Sequence, residues 1–358
     1  MSRRFGSLLI VSASLLSIIA AAPVAAADRE NQAQAVDQCN NRNNKFIPHL
    51  QINGCTLIIK YSYGDTSNIA AAFFGRGKAY LKLKNYKQAI KEFTEAENYL
   101  IKAKASQSQL SELQTNIGIA YAELNMHDQA ITAYNKALAL DGRNFFANYN
   151  RSISYFWLKQ PDLQMADLDQ AIALNPDFKS ALNVRAAMLV RAGKYNEAKA
   201  DYTKSIKIDP NQAQQYVERG AINEALGEFE QAYSDFSEAI KLRRDDSNLY
   251  NARCYLAFEA NSRLDTALGD CNRSIMLSKS AMNLDSRGAV YLRLQRWQEA
   301  WADFDEAIRL ERYPSALFGR GLAAKGLQRS AEATADIAEA LKLDPKIGEH
   351  YAKFGVKP

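Results

Sequence analysis

Small and bulky apolar positions recur along most of the chain with a period of about 34 residues, and such a period indicates stacked repeats. One small residue, often the glycine of an Arg-Gly pair, marks each repeat. The markers keep a nearly constant spacing after the first repeat and are Gly77, Gly118, Ser152, Ala186, Gly220, Cys254, Gly288 and Gly321. Small residues also follow most markers by 12 and 19 positions, and a bulky residue such as Phe93 or Phe304 follows by 16.

This spacing predicts two antiparallel α-helices in each repeat. Small residues allow two helices to cross closely, whereas bulky residues fill the space between successive helix pairs. Short turn sequences such as RAGKY (191–195) separate the two helices, and segments such as KLDP (342–345) end several repeats. Because one pair cannot bury its apolar face alone, the repeats are expected to stack into an all-α solenoid.

At these positions the sequence resembles the tetratricopeptide repeats. The family pattern is carried by FFGRGKAY…A…F…A at 73–96 and by LDSRGAVYLRLQRWQEAWADFDEAIRL at 284–310. The resemblance implies a right-handed α-solenoid of about eight helix-turn-helix units over residues 70–347. The predicted units are 70–103, 111–144, 145–178, 179–212, 213–246, 247–280, 281–313 and 314–347.

The segments that flank the array are predicted to cap it. Residues 28–69 resemble the cysteine-containing lead-in of some exported bacterial tetratricopeptide proteins, and residues 348–358 are expected to form a C-terminal capping segment. The four cysteines form two close pairs in the sequence, which favours Cys39–Cys55 and Cys254–Cys271 disulfides. For Cys254 and Cys271 the alternative is two separate buried thiols.

The segment 1–27 has the layout of a secretory signal peptide. Arg3 and Arg4 precede an apolar stretch, and the run Ala25–Ala27 provides a small-residue cleavage site before Asp28. The alternative is an uncleaved membrane anchor, because the apolar stretch approaches the length that a membrane span requires. We expect export and cleavage, with no membrane association afterwards.

Arginine precedes the marker in seven of the eight repeats, and an acidic residue follows the marker by 15 or 16 positions in the same seven. The second repeat lacks both, with Ile117 and Ala133 instead. Antiparallel helices would bring the two positions side by side, so we expect structural ion pairs and not a basic ladder for polyanions. The main predicted pairs are Arg151–Asp167, Arg185–Asp201, Arg219–Asp235, Arg287–Asp303 and Arg320–Asp336.

Composition and motifs give little indication of catalysis. The net charge of +5 is small for 358 residues and does not favour nucleic-acid binding. The histidines His49, His127 and His350 lie in unrelated segments without a second ligand at metal spacing, and His127 is expected to be solvated in a turn. Neither a phosphate-binding loop nor a nucleophile elbow occurs in the sequence. We therefore expect no enzyme, no metal and no cofactor.

In the tetratricopeptide family the first helix of each unit lines a concave groove. The matching positions of the first three units are apolar, aromatic or carboxamide side chains, namely Phe74, Asn116, Ile119, Phe146, Tyr149, Asn150, Phe156 and Trp157. These side chains are predicted to bind a peptide or a partner helix. The alternative is that the aromatic side chains pack against neighbouring helices. Of the residues that would clamp a C-terminal carboxylate only Asn116 is present, so that mode of binding is not expected.

The sequence therefore predicts a non-catalytic scaffold of the bacterial periplasm that binds a partner protein or peptide. Two alternatives stay open at this point, a self-associating structural protein and an accessory subunit of a cell-envelope biosynthesis complex.

Overall fold

A computed structural model describes residues 26–61 and 65–356, and over these residues the regular structure is entirely helical. The predicted signal peptide lies almost wholly outside the described residues. A short 3₁₀ turn, Arg42–Asn44, separates the first two helices. The helices are α1 (Ala26–Asn40), α2 (Pro48–Tyr61), α3 (Thr66–Lys82), α4 (Tyr86–Lys102), α5 (Gln107–Glu123), α6 (His127–Leu140), α7 (Phe145–Trp157), α8 (Pro161–Leu174), α9 (Lys179–Arg191), α10 (Tyr195–Ile208), α11 (Ala213–Ala225), α12 (Phe229–Leu242), α13 (Ser247–Ala260), α14 (Leu264–Leu277), α15 (Ala281–Arg293), α16 (Trp297–Leu310), α17 (Pro314–Gly326), α18 (Ser330–Leu343) and α19 (Ile347–Lys353).

The chain divides into two compact units, and the boundary between Arg185 and Ala186 lies within α9. The N-terminal unit contains α1 to α8, and the C-terminal unit contains α10 to α19. In each unit successive helices pair through short turns, as the sequence period requires. The prediction of an all-α solenoid is confirmed.

Every turn between the paired helices α3–α4 to α17–α18 contains a residue in the left-handed backbone region. It stands seven positions after the marker in all eight repeats: Lys84, Asn125, Lys159, Gly193, Gly227, Asn261, Gln295 and Gln328. Glycine tolerates this conformation best, yet only two of the eight residues are glycine. The turn geometry is therefore imposed by the packing of the helices it joins and not by the local residue preference.

The marker glycine is required because a bulky side chain from the second helix, an aromatic ring at Gly77, Gly118, Gly220 and Gly288, lies directly on it. A Cβ atom at Gly118 would stand 2.4 Å from Cε1 of Tyr134, and one at Gly77 would stand 2.5 Å from Cε1 of Phe93. Where the marker is Ser152, the facing residue is the smaller Leu168, which is fully buried. The recurring Arg-Gly pair thus combines a packing position with the charged position that precedes it.

Both predicted disulfides are present in the structure. Cys39 of α1 and Cys55 of α2 are bonded, with Cα atoms 4.6 Å apart, and Cys254 of α13 and Cys271 of α14 are bonded, with Cα atoms 5.2 Å apart. In the sixth repeat the second bond takes the place of the contact between marker and ring. The first bond ties the two cap helices together, and the ideal Cβ position at Gly75 of α3 lies 3.1 Å from Sγ of Cys55.

In most repeats an arginine of the first helix joins its own second helix to the second helix of the preceding helix pair. Arg219 donates from Nε and Nη2 to the two carboxylate oxygens of Asp235, at 2.9 and 2.6 Å. Its Nη1 donates to Thr203 Oγ1 at 3.1 Å, and Thr203 belongs to the preceding helix pair. Equivalent bidentate pairs are Arg151–Asp167, Arg253–Asp270, Arg287–Asp303 and Arg320–Asp336.

Arg185 and Asp201 fall in different compact units, so their pairing stays a prediction. Within the N-terminal unit, Arg185 Nη1 donates to Asp169 Oδ1 at 2.8 Å, which is the bond to the preceding helix pair. In the first repeat Arg76 pairs with Glu92 at 2.7 Å, a pair that follows the same pattern.

Burial opposes the charge of these carboxylates. Burial raises the pKa of Asp167 above its ordinary value even though Arg151 donates two hydrogen bonds to it, and the same holds for Asp303 beside Arg287. A buried ion pair gains little over well-packed apolar groups, but removal of one partner leaves an uncompensated charge. The pairs therefore enforce the register of the helices more than they add net stability.

We predict that Arg219→Ala and Asp235→Ala each lower the free energy of unfolding by about 3 kcal/mol, because each leaves a buried polar group without its partner. The double variant should lose clearly less than the sum of the two single losses. Urea denaturation followed by circular dichroism measures all three. The exposed pair Lys241–Glu238 of the same unit is the control, and its removal should change stability little. Additive losses at Arg219 and Asp235 would contradict the coupling.

We also predict that Gly118→Ala destabilises the protein by about 2 kcal/mol, because the added methyl group collides with the Tyr134 ring. Gly269 of α14 provides a matched control, since a Cβ there meets no atom within 4 Å. Gly269→Ala should be neutral or stabilising by up to about 1 kcal/mol, as alanine is the better helix former. The midpoints of thermal unfolding compare the two variants, and equal midpoints would exclude the ring contact as the reason for glycine.

Candidate partner-binding surfaces

Five of the eight predicted groove residues are buried in the N-terminal unit. The buried side chains are Phe74, Asn116, Ile119, Tyr149 and Asn150. Phe146 and Phe156 are partly exposed, and Trp157 is 54% exposed. These five side chains are buried in the packing, as the alternative prediction held for the aromatic residues. Only Phe146, Phe156 and Trp157 remain candidates for the predicted binding surface.

The aromatic residues at the start of α7 form a cluster around Phe178, which lies in the turn before α9. The ring of Phe178 makes edge contacts with Phe145, Phe146 and Tyr149 at centroid distances of 5.1, 5.5 and 5.0 Å. Burial raises the pKa of Tyr149 to about 12. This cluster anchors the turn that leads into α9, so it has a structural role.

The remaining buried groove residues also have structural partners. Phe74 packs against Phe93, with ring centroids 5.6 Å apart, and Ile119 belongs to the cluster around Tyr134. Asn116 Nδ2 donates to the backbone oxygen of Glu112 at 2.9 Å, within its own helix. These contacts stabilise the packing of α3 and α5 inside the N-terminal unit.

The groove positions of α3 and α5 also bring together two charged side chains. Burial lowers the pKa of Lys78, and the nearby charge of Glu112 partly offsets that effect. Lys78 Nζ lies 5.2 Å from the centroid of the Phe74 ring. This ammonium group is thus engaged by an acid and by an aromatic face.

Trp157 is the large aromatic side chain of α7 that stays exposed. Its ring stacks on His127 at 5.9 Å with an interplanar angle of 11°, and Phe156 contacts it edge-on at 5.5 Å. Burial lowers the pKa of His127, with a partial offset from Asp128, so the imidazole is biased toward its neutral form. His127, which was expected to be solvated, is partly buried, and its ring supports the indole. We call Phe156, Trp157 and His127 the tryptophan platform.

In the C-terminal unit the short helix α19 contacts the first helices of earlier repeats. Tyr351 is buried and packs against the rings of Phe258 in α13 and Phe318 in α17, at 5.9 and 4.9 Å. Its hydroxyl donates to the backbone oxygen of Ser315 at 3.2 Å. The C-terminal segment is thus packed against at least two repeats, and not only against the last one.

Polar contacts also hold α19 and the residues after it against α13 and α15. Arg293 of α15 donates to the backbone oxygens of Phe258, at 3.0 Å, and of Phe354, just after α19. The hydroxyl of Tyr255 and Nε2 of His350 lie 3.0 Å apart. Arg293 therefore holds the C-terminal end of α19, where unpaired helix carbonyls accept hydrogen bonds from cations.

Three acidic side chains lie near the same segment. Burial raises the pKa of Asp285 to about 7, although a hydrogen bond from Ser315 works in the opposite direction. Burial together with the charge of Glu224 raises the pKa of Glu259 to about 7, while Lys353 of α19 lowers it. Burial also raises the pKa of Glu224, while Lys353 lowers it.

Several of these features have no signal in the repeat pattern. Phe178 lies in a turn between repeats, and the role of His127 depends on a tryptophan in the next repeat. The contacts of α19 join residues that are far apart in the sequence, such as Tyr255 and His350, 95 positions apart. The one sequence signal for this packing is the presence of two aromatic residues, Tyr351 and Phe354, in so short a segment.

The described residues show neither a membrane-spanning element nor a metal centre. Among residues 26–61 and 65–356, no helix is both long and apolar enough to cross a bilayer. No group of three or more His, Cys, Asp or Glu side chains is placed to hold a metal ion in that part of the chain.

Known proteins with similar sequences match parts of the chain. A segment of 85 residues is 34% identical to human RNA polymerase II-associated protein 3, and covers 24% of this chain and 13% of that protein. A segment of 130 residues is 26% identical to Drosophila melanogaster FK506-binding protein 59, and covers 35% of this chain and 30% of that protein. The chain thus spans less than a third of the length of either relative.

Among solved structures, the chain is similar to YrrB, which is described as a TPR protein with an unusual peptide-binding site. The two share 17% sequence identity at a TM-score of 0.48, and the match covers 55% of this chain and 99% of YrrB.

Family models match both compact units. Residues 68–143 match one model, and residues 180–212, 213–246 and 314–347 match another, and both models describe a tetratricopeptide repeat. In the matched segments 213–246 and 314–347 the structure pairs an arginine-bearing first helix with an acidic second helix. The chain therefore carries tetratricopeptide repeats in both of its compact units, as its sequence predicted.

Proposed function

We propose that this chain is a non-catalytic scaffold that binds a partner protein through the tryptophan platform of its N-terminal unit. Tetratricopeptide repeats mediate protein–protein interactions, and the platform contains two predicted groove residues that are not buried, Phe156 and Trp157. The partner segment is expected to be an extended peptide or a helix with an apolar side chain that packs on the indole ring.

The observation that carries this proposal is the exposure of Trp157 on a preformed support. An indole that is 54% exposed leaves a large apolar area in water, and tryptophan is enriched among residues that dominate binding energy. The stacked His127 and the edge contact with Phe156 hold the ring in one orientation. Little conformational entropy would then be lost when a partner covers the ring.

The proposed location is the periplasm. Two disulfide bonds in a chain whose first residues have the layout of a signal peptide favour an oxidising compartment. The role in the cell envelope that the sequence raised as an alternative has no specific support among the contacts described above.

We predict that a photo-reactive residue at position 157 captures a distinct partner in cells that express the chain. A probe at Met276, which is 68% exposed on α14 of the other unit, is the control and should not capture it. The captured protein, once purified, should bind Trp157→Ala at least tenfold more weakly than the native chain, because the apolar contact is lost. Met276→Ala should bind normally.

Equal affinity of the partner for Trp157→Ala and for the native chain would refute the platform as the binding surface. Light scattering at several protein concentrations tests the alternative of self-association. If the captured partner is a second copy of the chain, the mass should double as the concentration rises.

We predict that the mature protein begins near Asp28. Mass spectrometry of the chain isolated from its native cells should give an N-terminus at or close to this residue, since the signal peptidase cleaves after small residues. Recovery of the intact N-terminus from a membrane fraction would instead support the uncleaved anchor.

A further inference from the structure

We infer that the C-terminal unit contains a second binding site, which the chain's own C-terminal segment fills and which a partner segment of similar chemistry can occupy by displacing it. The segment comprises residues 347–356, and we call its binding site the α19 seat. The seat is formed by Glu224, Tyr255, Phe258, Glu259, Arg293 and Phe318. This site is separate from the tryptophan platform and does not depend on it.

The position of the segment distinguishes it from a simple end cap. A cap would need to cover only the last helix pair, α17–α18. Instead, Tyr255 is 95 residues before the His350 that it contacts, and Phe258 packs on both Tyr351 and Phe354 at 5.9 Å. The segment thus lies on first helices of three repeats, α13, α15 and α17, and its lysine charge acts on Glu224 of a fourth.

The chemistry of the seat is that of a peptide-recognition site. The rings of Phe258 and Phe318 receive one buried aromatic side chain, Tyr351. Arg293 binds a backbone carbonyl oxygen, which any helical segment that ends at this point could supply. Lys353 lies near enough to Glu224 and Glu259 to lower the pKa of both carboxyl groups, so a basic side chain is favoured at this position.

These contacts define the partner that fits. It is a short helix that carries a tyrosine, then a basic residue two positions later and an aromatic residue directly after it. This is the arrangement of Tyr351, Lys353 and Phe354. The aromatic anchor supplies apolar contact, the basic residue supplies charge complementarity, and the end of the helix supplies the carbonyl for Arg293.

The segment is suited to release because its internal structure is weak. A seven-residue helix is too short to be stable alone in water, so α19 owes its structure to the seat. Ile347 and Tyr351 are its two buried side chains, whereas Glu349, His350 and Lys353 are exposed. Filling of the seat within the chain would lower the apparent affinity of a partner in proportion to the occupied fraction.

The test measures binding of a fluorescent synthetic peptide with the sequence of residues 344–356 to full-length chains. In the variant Tyr351→Ala/Phe354→Ala the internal segment should leave the seat, and the peptide should bind at least tenfold more tightly than to the native chain. Adding Arg293→Ala to this variant should reverse the gain by about tenfold, because the carbonyl contact is lost. Glu349→Ala, at an exposed position of the same helix, is the control and should behave as the native chain.

The variant Lys353→Glu tests the same idea without removing buried side chains. It sets a third acid beside Glu224 and Glu259, so it should weaken the internal segment and increase peptide binding severalfold. Equal peptide affinity for the native chain and both variants would overturn the inference. So would a lack of binding to Lys353→Glu when its circular dichroism spectrum matches that of the native chain.

One further outcome identifies a different occupant. If the native chain forms dimers in light scattering and Tyr351→Ala/Phe354→Ala abolishes them, the segment of a second copy fills the seat. Displacement of an internal segment by a partner would then be overturned.

Discussion

The ion pair between an arginine of the first helix and an acid of the second helix, present in most repeats, is the interaction on which the described architecture depends. In the bidentate pairs the guanidinium group uses one edge for the carboxylate of its own repeat and another nitrogen for a polar side chain of the preceding repeat. Three helices therefore meet at one side chain. Because the pair is largely buried, an error in the register of one helix would leave a charge without a partner, which costs more than the pair itself contributes. The marker glycine next to the arginine restricts the same part of the helix sterically, because a larger residue there would collide with the second helix.

The fold could be predicted from the sequence because its signals are local and repeated. The regular spacing of the markers, the alternation of small and bulky positions and the joint absence of arginine and acid at Ile117 and Ala133 all concern residues within one helix pair or its direct neighbour. The bond from Arg219 to Thr203 could not be read in this way, since it depends on how one repeat lies on the next. The left-handed backbone conformation in the turns also could not be predicted from the residue types, because lysine, asparagine and glutamine stand at most of the positions where glycine would be expected.

The binding surface was harder to predict because an aromatic residue at helical spacing can either be exposed in a groove or be packed against a neighbouring helix. Phe74 and Tyr149 occupy groove positions by their spacing, yet their rings are covered by Phe93 and Phe178 of the neighbouring elements. Trp157 differs because it ends α7 and projects from the last turn, where a histidine of the previous repeat supports it on one side only. Spacing alone identifies the row of side chains, but burial by residues outside the row decides which of them are free.

The seat of α19 also affects how the protein can be handled. Any polypeptide fused shortly after Phe354, whether an affinity tag, a reporter or an immobilising linker, is tethered close to that ring and to the guanidinium group of Arg293. Bulk or charge placed there would pull on the docked segment and could shift its equilibrium before a measurement begins. A fluorophore at an exposed position away from the seat, such as Met276 on α14, would report on the chain without that disturbance.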